Sequence, residues 1–469
     1  MMYDEKAVHE IVNAQRTYFM TKETLDVSFR IRMLKKLKET VLQNRKALEE
    51  ALQKDLGRDP LEAYFCDIGS LILEINETLH GLKRWARTKT VFSGFLCFPS
   101  TVTKIKRMPY GVCLIISPFN FPILLSLGVL TAAIAGGNTA VIKASSKSSH
   151  CTALLQKLMS GTFPPEYVTV LGGGHDVADL CLSERFDKIF YTGSPKVGVH
   201  VLEKAAKNLT PAALELGGET GNWCVVRKDA DLKDAARKIA FFKALNSGQI
   251  CINVNQAAVA SEVAEDFVRE LKAAFEKQLG GDPVHNDEYP RLINRAAFDK
   301  CADTVERYKD RIVYGGKGDP ETLKFSPTIL YPVGIEEEIV KRELFCPILP
   351  IVTYKDDEID SLLQTIEERE HGLALYLFTK DLGWAKHVMQ SMQYGGGCIN
   401  EVCLHMMVKG APFNGTGHSG MGSYHGKYGF DEFTHPSTYL LGRTRFNLPL
   451  REHPYGKRWK KTLVELFER

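Results

Sequence analysis

From Gly111 onward the chain falls into short apolar runs separated by helical segments, and this alternation limits its fold more than any other feature. The runs are Val112–Ile116, Ala140–Ile142, Val168–Leu171, Lys188–Tyr191 and Trp223–Val226. Between most of them lie segments with helical spacing: Ile123–Ala135, Ser148–Met159, Ala178–Ser183 and Pro195–Ala206. A strand that is apolar on both faces must be covered on both, and crossover helices between parallel strands supply that cover. A second series follows: a helix near Leu232–Ala244, strands near Ala257–Ala260 and Leu349–Tyr354, a helix Ile359–Glu368 and a strand Ala374–Phe378. The pattern predicts two α/β domains in series, each built on a mostly parallel sheet. The length agrees, since 469 residues exceed what a single hydrophobic core organises.

Ahead of this region, residues 4–56 carry apolar positions at helical spacing, and a second helical stretch over 59–88 follows the turn signalled by Gly57 and Pro60. Residues 102–108 alternate instead. Val102, Lys104, Lys106 and Met108 share one face and Thr103, Ile105 and Arg107 the other, as in a strand with one wet side.

Charge and cysteine content exclude several functions. Sixty basic and 57 acidic residues are interspersed and leave a net charge of +3, which offers a nucleic acid no extended basic face. The basic stretch at Arg451, Lys457, Arg458, Lys460 and Lys461 reads as a solvated terminal face. Eleven cysteines are scattered singly without a CxxC pair, a pattern of reduced thiols rather than a disulfide framework or a zinc site. The longest uninterrupted apolar piece, Ile123–Ala135, is 13 residues, short of the about 20 that cross a bilayer. With no apolar leader in MMYDEKAVHE, a soluble cytoplasmic chain without a membrane anchor and without a metal is expected.

The segment FDKIFYTGSPKVGVHVLEKAAK sets a strand, a turn and a helix in immediate succession. Ser194 suits the N-cap and Pro195 the first helical position, while Gly193 and Gly198 allow close approach. Free N–H groups at such a helix start bind anions. The spacing is GxxxxG rather than GxGxxG, so an ordinary βα turn stands beside the phosphate site as a reading. The Gly172–Gly174 run reads as a flexible connection.

Seven motifs, in order, give the chain a resemblance to the aldehyde dehydrogenase superfamily over essentially its whole length. They are SPFNFP (117–122), VIKAS (141–145), YTGSPKVG (191–198), LELGG (214–218), GQIC (248–251), KRELFCPILP (341–350) and GTGHSGMGSYHGKYGFDEFTH (415–435). The last of these and the short N-terminus are most similar to the class 3-like branch of fatty and aromatic aldehyde dehydrogenases, which typically forms dimers.

The resemblance implies a Rossmann-like coenzyme domain over 1–90 and 110–217 and an α/β catalytic domain over 218–420. It further implies a small β oligomerisation arm from 91–109 and 436–443, and a C-terminal tail over 444–469. The arm would pair across a two-fold partner, which accounts for its wet face and its open edge.

The resemblance also implies roles. Cys251 matches the family nucleophile, since a thiolate both attacks an aldehyde and later leaves an acyl group. Without the motif it reads as a buried structural thiol. Asn120 matches the amide that, with the Cys251 backbone N–H, holds the oxyanion; alone, between Pro118 and Pro122, it reads as a turn residue. Glu215 matches the base that activates water for thioester hydrolysis, against a plain carboxylate at a strand end. Glu343 and Phe345 match the nicotinamide ribose and ring contacts. Lys143 matches the adenosine ribose contact, and Ser194, with Gly193 and Gly198, the pyrophosphate turn. The cofactor would be NAD or NADP and the substrate a small aldehyde.

Five departures from the family pattern stand out, one of them the Ile252-Asn253 that follows GQIC. Ser146 occupies the place of an acidic ribose contact and reads either as a cofactor contact open to NADP or as a helix N-cap. Glu219-Thr220-Gly221 follows LELGG, Cys346 follows Phe345, and Asn414 replaces the first glycine of FGG. Two rivals remain: an acylating dehydrogenase that passes the thioester to coenzyme A, which needs no Glu215, and a non-catalytic scaffold, which needs none of the three.

Overall fold

The computed structural model describes residues 3–94, 97, 100–444 and 451–467. Parts of the expected arm (95, 96, 98 and 99) and of the expected tail (445–450, 468 and 469) lie outside the described residues.

Two sheets carry the molecule. In the first, Val112–Ile116 is central, with Thr139–Lys143 and Val168–Leu171 to one side and Lys188–Gly193 and Ala212–Leu216 to the other, all parallel. Its strands are buried on both faces, as the continuous apolar runs require. The sixth strand, Gly420–Met421, arrives from far down the chain and pairs antiparallel with Ala212–Leu216, placing Gly420 opposite Glu215. The second sheet orders Ile312–Tyr314, Thr328–Val333, Ile348–Tyr354, Val254–Ala260, Asn222–Val226, Ala374–Phe378 and Gly396–Ile399, parallel apart from the first pair. The run near Trp223, fifth in sequence after Gly111, thus belongs to the second sheet and not the first.

The helical region 4–56 divides into Glu5–Met20, Val27–Gln43 and Arg45–Leu56, the last ending on Gly57 in the left-handed region. The stretch 59–88 contains Pro60–Ala63 and Gly69–Trp85, joined through a π turn at Tyr64–Ile68. Every residue of helix Leu124–Gly136 is buried, so it has no polar face to lose. It packs against the Val27–Gln43 and Gly69–Trp85 helices, and Gly426–Glu432 closes over it. Residue 420, the last of the expected catalytic domain, and residues 421–433, which no expected domain includes, therefore return to the first sheet. Among the described residues no helix is long and apolar enough to cross a membrane.

A third, three-stranded antiparallel sheet stands apart, formed by Lys89–Val91, Thr101–Pro109 and Thr434–Gly442. Thr101 and Thr103 face inward while Val102 is exposed, consistent with the alternation in the sequence. Tyr439, Leu440 and Leu441 are also exposed.

Candidate active site

Cys251 follows three consecutive residues in the left-handed region: Asn246 at φ 51°, Ser247 at φ 51° and Gly248 at φ 73°. Gly248 is required there, because a Cβ would lie 2.4 Å from the carbonyl oxygen of Cys346. After the turn, the backbone is pinned from behind. The Asn222 amide donates to the carbonyls of Cys251 at 2.8 Å and Asn253 at 2.9 Å, and the Tyr376 hydroxyl donates to that of Ile252. The thiol of this half-buried residue lies near acidic groups. Burial, with Glu343 and Glu215 nearby, pushes it up to about 12.

Glu215 lies near the end of Ala212–Leu216, between Thr192 of the neighbouring parallel strand and Gly420. It is 3% exposed and neither carboxyl oxygen has a hydrogen-bond partner. Burial, and then Glu432, hold its carboxyl well above the usual range. Tyr424, buried near both Glu215 and Cys251, completes this pocket and is raised by burial first and then by those two groups.

Asn120 is buried, and its side-chain amide donates to the Gln249 carbonyl at 3.1 Å, two residues before Cys251. One N–H of that amide is thereby used, and a primary amide has two. Glu343 and Phe345 reach the same region from the second sheet. Leu344 N–H donates to Asn255 Oδ1 at 2.8 Å, and Glu343 N–H to the Glu219 carbonyl at 2.7 Å, which fixes the loop. Phe345 adopts φ 55° and meets Phe119 edge to face at 5.9 Å. Burial pushes the Glu343 carboxyl up to about 8, against the pull of Lys300 and Lys243. A Cβ at Gly217 would sit 2.3 Å from Glu343 Oε1, so glycine is what lets this carboxylate stand over the LELGG turn.

The expected cofactor residues gather along the carboxyl ends of the first sheet. Strand order reverses there between Val112–Ile116 and Lys188–Gly193, and such switch points open a ligand crevice. Ser194 is the N-cap of Pro195–Ala206, with no side-chain capping bond, which leaves the first amides of the helix available. Gly193 is hemmed by the Tyr191 hydroxyl, 2.1 Å from where a Cβ would be, and Gly198 abuts Leu216 at 3.0 Å. Lys143 is 4% exposed and donates to the carbonyls of Ala144 at 2.9 Å and Gly173 at 2.7 Å, leaving one of its three N–H groups. Burial lowers its pKa. The Gly172–Gly174 connection thus has a defined partner. Ser146 is exposed and does not cap the following helix. The N-cap is Ser148, and the helix start is satisfied by Asp55, which accepts from His150 N–H at 3.1 Å and Cys151 N–H at 2.8 Å. A remote carboxylate takes the role expected of a local serine. A crevice with uncapped helix amides, a lysine with a spare proton and glycines where side chains would clash fits a dinucleotide.

Several residues at this site carry no local signal in the sequence. Lys243 is buried beside Glu343, and burial pushes it down to about 8. With Asn222, Asn253, Asn255, Glu343 and Phe345 it lines a small polar cavity of about 10 Å³ behind Cys251. Its spacing from Ala236, Ile239 and Ala240 puts it on the buried face of its helix, but nothing local ties it to Glu343. Arg58, within the turn signal 57–60, is fully buried and reaches Asn120. Glu219 pairs with His418 at 3.1 Å, and these two with Glu370 form a surface cluster of groups with metal-ligand chemistry, explained by the acid–histidine pairing alone.

A cysteine, a buried carboxylic acid and an amide donor, together with a crevice that fits a dinucleotide, are the features of a nicotinamide-dependent oxidoreductase. The aldehyde dehydrogenase family profile matches residues 1–439. The 4,4'-diaponeurosporen-aldehyde dehydrogenase of Staphylococcus aureus is 36% identical over 445 residues, 95% of this chain and 96% of that one. A dimeric NADP-preferring aldehyde dehydrogenase of Canis lupus familiaris is 35% identical over 437 residues, 92% of this chain and 94% of that one. The solved substrate-bound state of Staphylococcus aureus AldH superposes with a TM-score of 0.95 at 34% identity, covering 100% of both chains. The chain belongs to the aldehyde dehydrogenase family, in its class 3-like branch, and is an enzyme that oxidises aldehydes to carboxylic acids with NAD or NADP.

Proposed function

We propose that Cys251 attacks the aldehyde carbon to form a thiohemiacetal and that Asn120, with the Cys251 backbone N–H, holds the oxyanion. The nicotinamide, when bound, supplies the acceptor for the hydride. Glu343 and Phe345 orient it, Lys143 and Ser146 contact the adenosine ribose, and Gly193, Ser194 and Gly198 receive the pyrophosphate. Glu215, once it has released its own proton, then takes one from water, and the activated water hydrolyses the thioester on Cys251. In this assignment 1–90 and 110–217, with 420–433, form the coenzyme domain and 218–419 the catalytic domain.

The observation that carries this reading is Glu215 itself. A carboxyl group buried with both oxygens unpartnered is costly, and a chain keeps one where a water or substrate must be engaged. It also separates this reading from thioester transfer to coenzyme A, which has no use for a base. A preference that admits NADP is supported by Ser146, where a carboxylate would repel a 2′-phosphate, and by the NADP-preferring relative. The exposed Tyr439, Leu440 and Leu441 on the three-stranded sheet suit an arm of a homodimer. All eleven cysteines are free, which fits a cytoplasmic setting.

The test follows NAD(P)H formation with a panel of aldehydes, with and without coenzyme A, in wild type and Glu215→Gln. Hydrolytic oxidation predicts turnover without coenzyme A. It also predicts a mutant that makes at most one NAD(P)H per site, with steady-state turnover lower by about 10²–10⁴-fold and an acyl group on Cys251 detected by mass spectrometry. Unchanged steady-state turnover in the mutant would remove Glu215 from the mechanism.

A further inference from the structure

We infer that Arg58 is a positioning residue for the oxidation, holding Asn120 and the segment that enters Cys251 in one fixed relation. The inference rests on the reading of Asn120 as the oxyanion donor.

Arg58 is 0% exposed, and its guanidinium divides itself among three separate parts of the chain. Nε donates to Asn246 Oδ1 at 3.0 Å. One terminal nitrogen binds the Asp67 carboxylate, and the other donates to the backbone carbonyl of Asn120. Its plane also lies over the Phe121 ring, 4.8 Å from the centroid. Only a rigid fork with several donors can do this, so a lysine at the same place keeps the charge and loses the geometry.

The partners of Arg58 are bonded to one another. The Asn246 amide donates to the Asn120 carbonyl at 3.0 Å and to the Gln249 carbonyl at 2.9 Å, and the Asn120 amide donates to that same Gln249 carbonyl. Arg58, Asn246, Gln249 and Asn120 thus close a buried ring that spans the oxyanion loop and the turn before the thiol. Asp67 fixes the loop from its other end. Its second oxygen accepts from the N–H groups of Ile123 at 3.0 Å and Leu124 at 2.7 Å, where the buried helix begins. Glu62, one helical turn from Arg58, accepts from Asn246 N–H at 2.8 Å and steadies the strained left-handed turn. Arg58 touches neither the aldehyde nor the thiol, and all its influence passes through Asn120 and Asn246.

The test is a double-mutant cycle on the acylation step, read as the rate of the first NAD(P)H burst in the intact enzyme. Arg58→Lys is expected to slow the burst by roughly 10–100-fold, the effect of misplacing a donor by about 1 Å, while the Kd for NAD(P) changes by less than about twofold. In an Asn120→Ala background the same substitution should cost less than about threefold, because the group it positions is gone. An equal cost in both backgrounds overturns the inference and leaves the role of Asn120 standing. If Asn120→Ala alone leaves the burst unchanged, the oxyanion reading falls and takes the inference with it. Asn246→Gly keeps the left-handed backbone and deletes the bridging amide, with the acceptor it gives Arg58 Nε, while both partners of the buried Arg58–Asp67 ion pair remain. It should show the same coupling to Asn120→Ala whether or not Arg58→Lys folds, and strictly additive effects would overturn the ring.

Discussion

Glu215→Gln should make the folded protein more stable in alkali while it abolishes useful turnover. In the native state burial and then Glu432 raise this carboxyl well above its ordinary 4.5, so it stays protonated at pH values where the unfolded chain has released the proton. The sign follows from linkage. Between the unfolded and the folded pKa the native state binds the extra proton, so wild-type stability falls as pH rises through that window. Glutamine does not titrate, and the mutant lacks the slope. The gap between mutant and wild type should therefore widen by about 1.4 kcal/mol for each pH unit above 4.5. It stops widening once Glu215 ionises, so at about pH 8 it can reach at most ~5 kcal/mol, the product of about 3.5 units and that slope. A constant offset from the amide, which inherits unpartnered neighbours, is the same at every pH and leaves the slope untouched. The assay is the unfolding midpoint of both proteins, by heat and by guanidinium, across a series from about pH 5 to about pH 9. Curves that run parallel, or a gap that narrows as pH rises, would refute the claim that Glu215 is buried as the neutral acid.

Three further outcomes are expected. Cys251→Ala should lower turnover by more than about 10³-fold while NAD(P) binding, followed by calorimetry, changes by less than about twofold. With its thiol pushed up to about 12 by burial and by Glu343 and Glu215, Cys251 in the free enzyme should be alkylated by iodoacetamide about tenfold faster per pH unit through about pH 10. A plateau near neutrality in the modified Cys251 peptide would show a different ionisation. Ser146→Glu should lower kcat/KM for NADP by roughly tenfold relative to NAD, a modest figure because Ser146 is exposed and water screens the charge; equal losses for both cofactors would place Ser146 away from the 2′-phosphate.

How much was legible in the sequence depended on how far each interaction reaches along it. The run Val112–Ile116 is a strand over the same residues in the structure, because two-sided burial writes itself as continuous apolarity. Pro195–Ala206 likewise keeps its bounds, since Ser194 and Pro195 mark its start locally. The cap on Ser149–Thr162 was not legible: Asp55, nearly a hundred positions away, supplies it, and no spacing rule connects the two. The strands Thr328–Val333 and Gly396–Ile399 lack the long apolar runs of their neighbours and passed unmarked. At the site, Cys251, Glu215 and Asn120 announce themselves through motifs. Arg58 does not, because a buried arginine beside Asp59 and Pro60 has the composition of a surface turn, and its burial is decided by Asp67 and Asn246 on other segments.

The pairing of Gly420 with Glu215 bears on how the protein is made. Glu215 is synthesised in the first half of the chain, yet the strand that walls it in leaves the ribosome only some two hundred residues later. A Cβ at position 420 would lie 2.2 Å from the Leu214 carbonyl oxygen, so only a glycine in a fully docked segment closes that edge. The Gly426–Glu432 helix and Glu432 beside Lys188 arrive later still. Two segments some two hundred residues apart must therefore meet before the burial that raises the Glu215 carboxyl is in place.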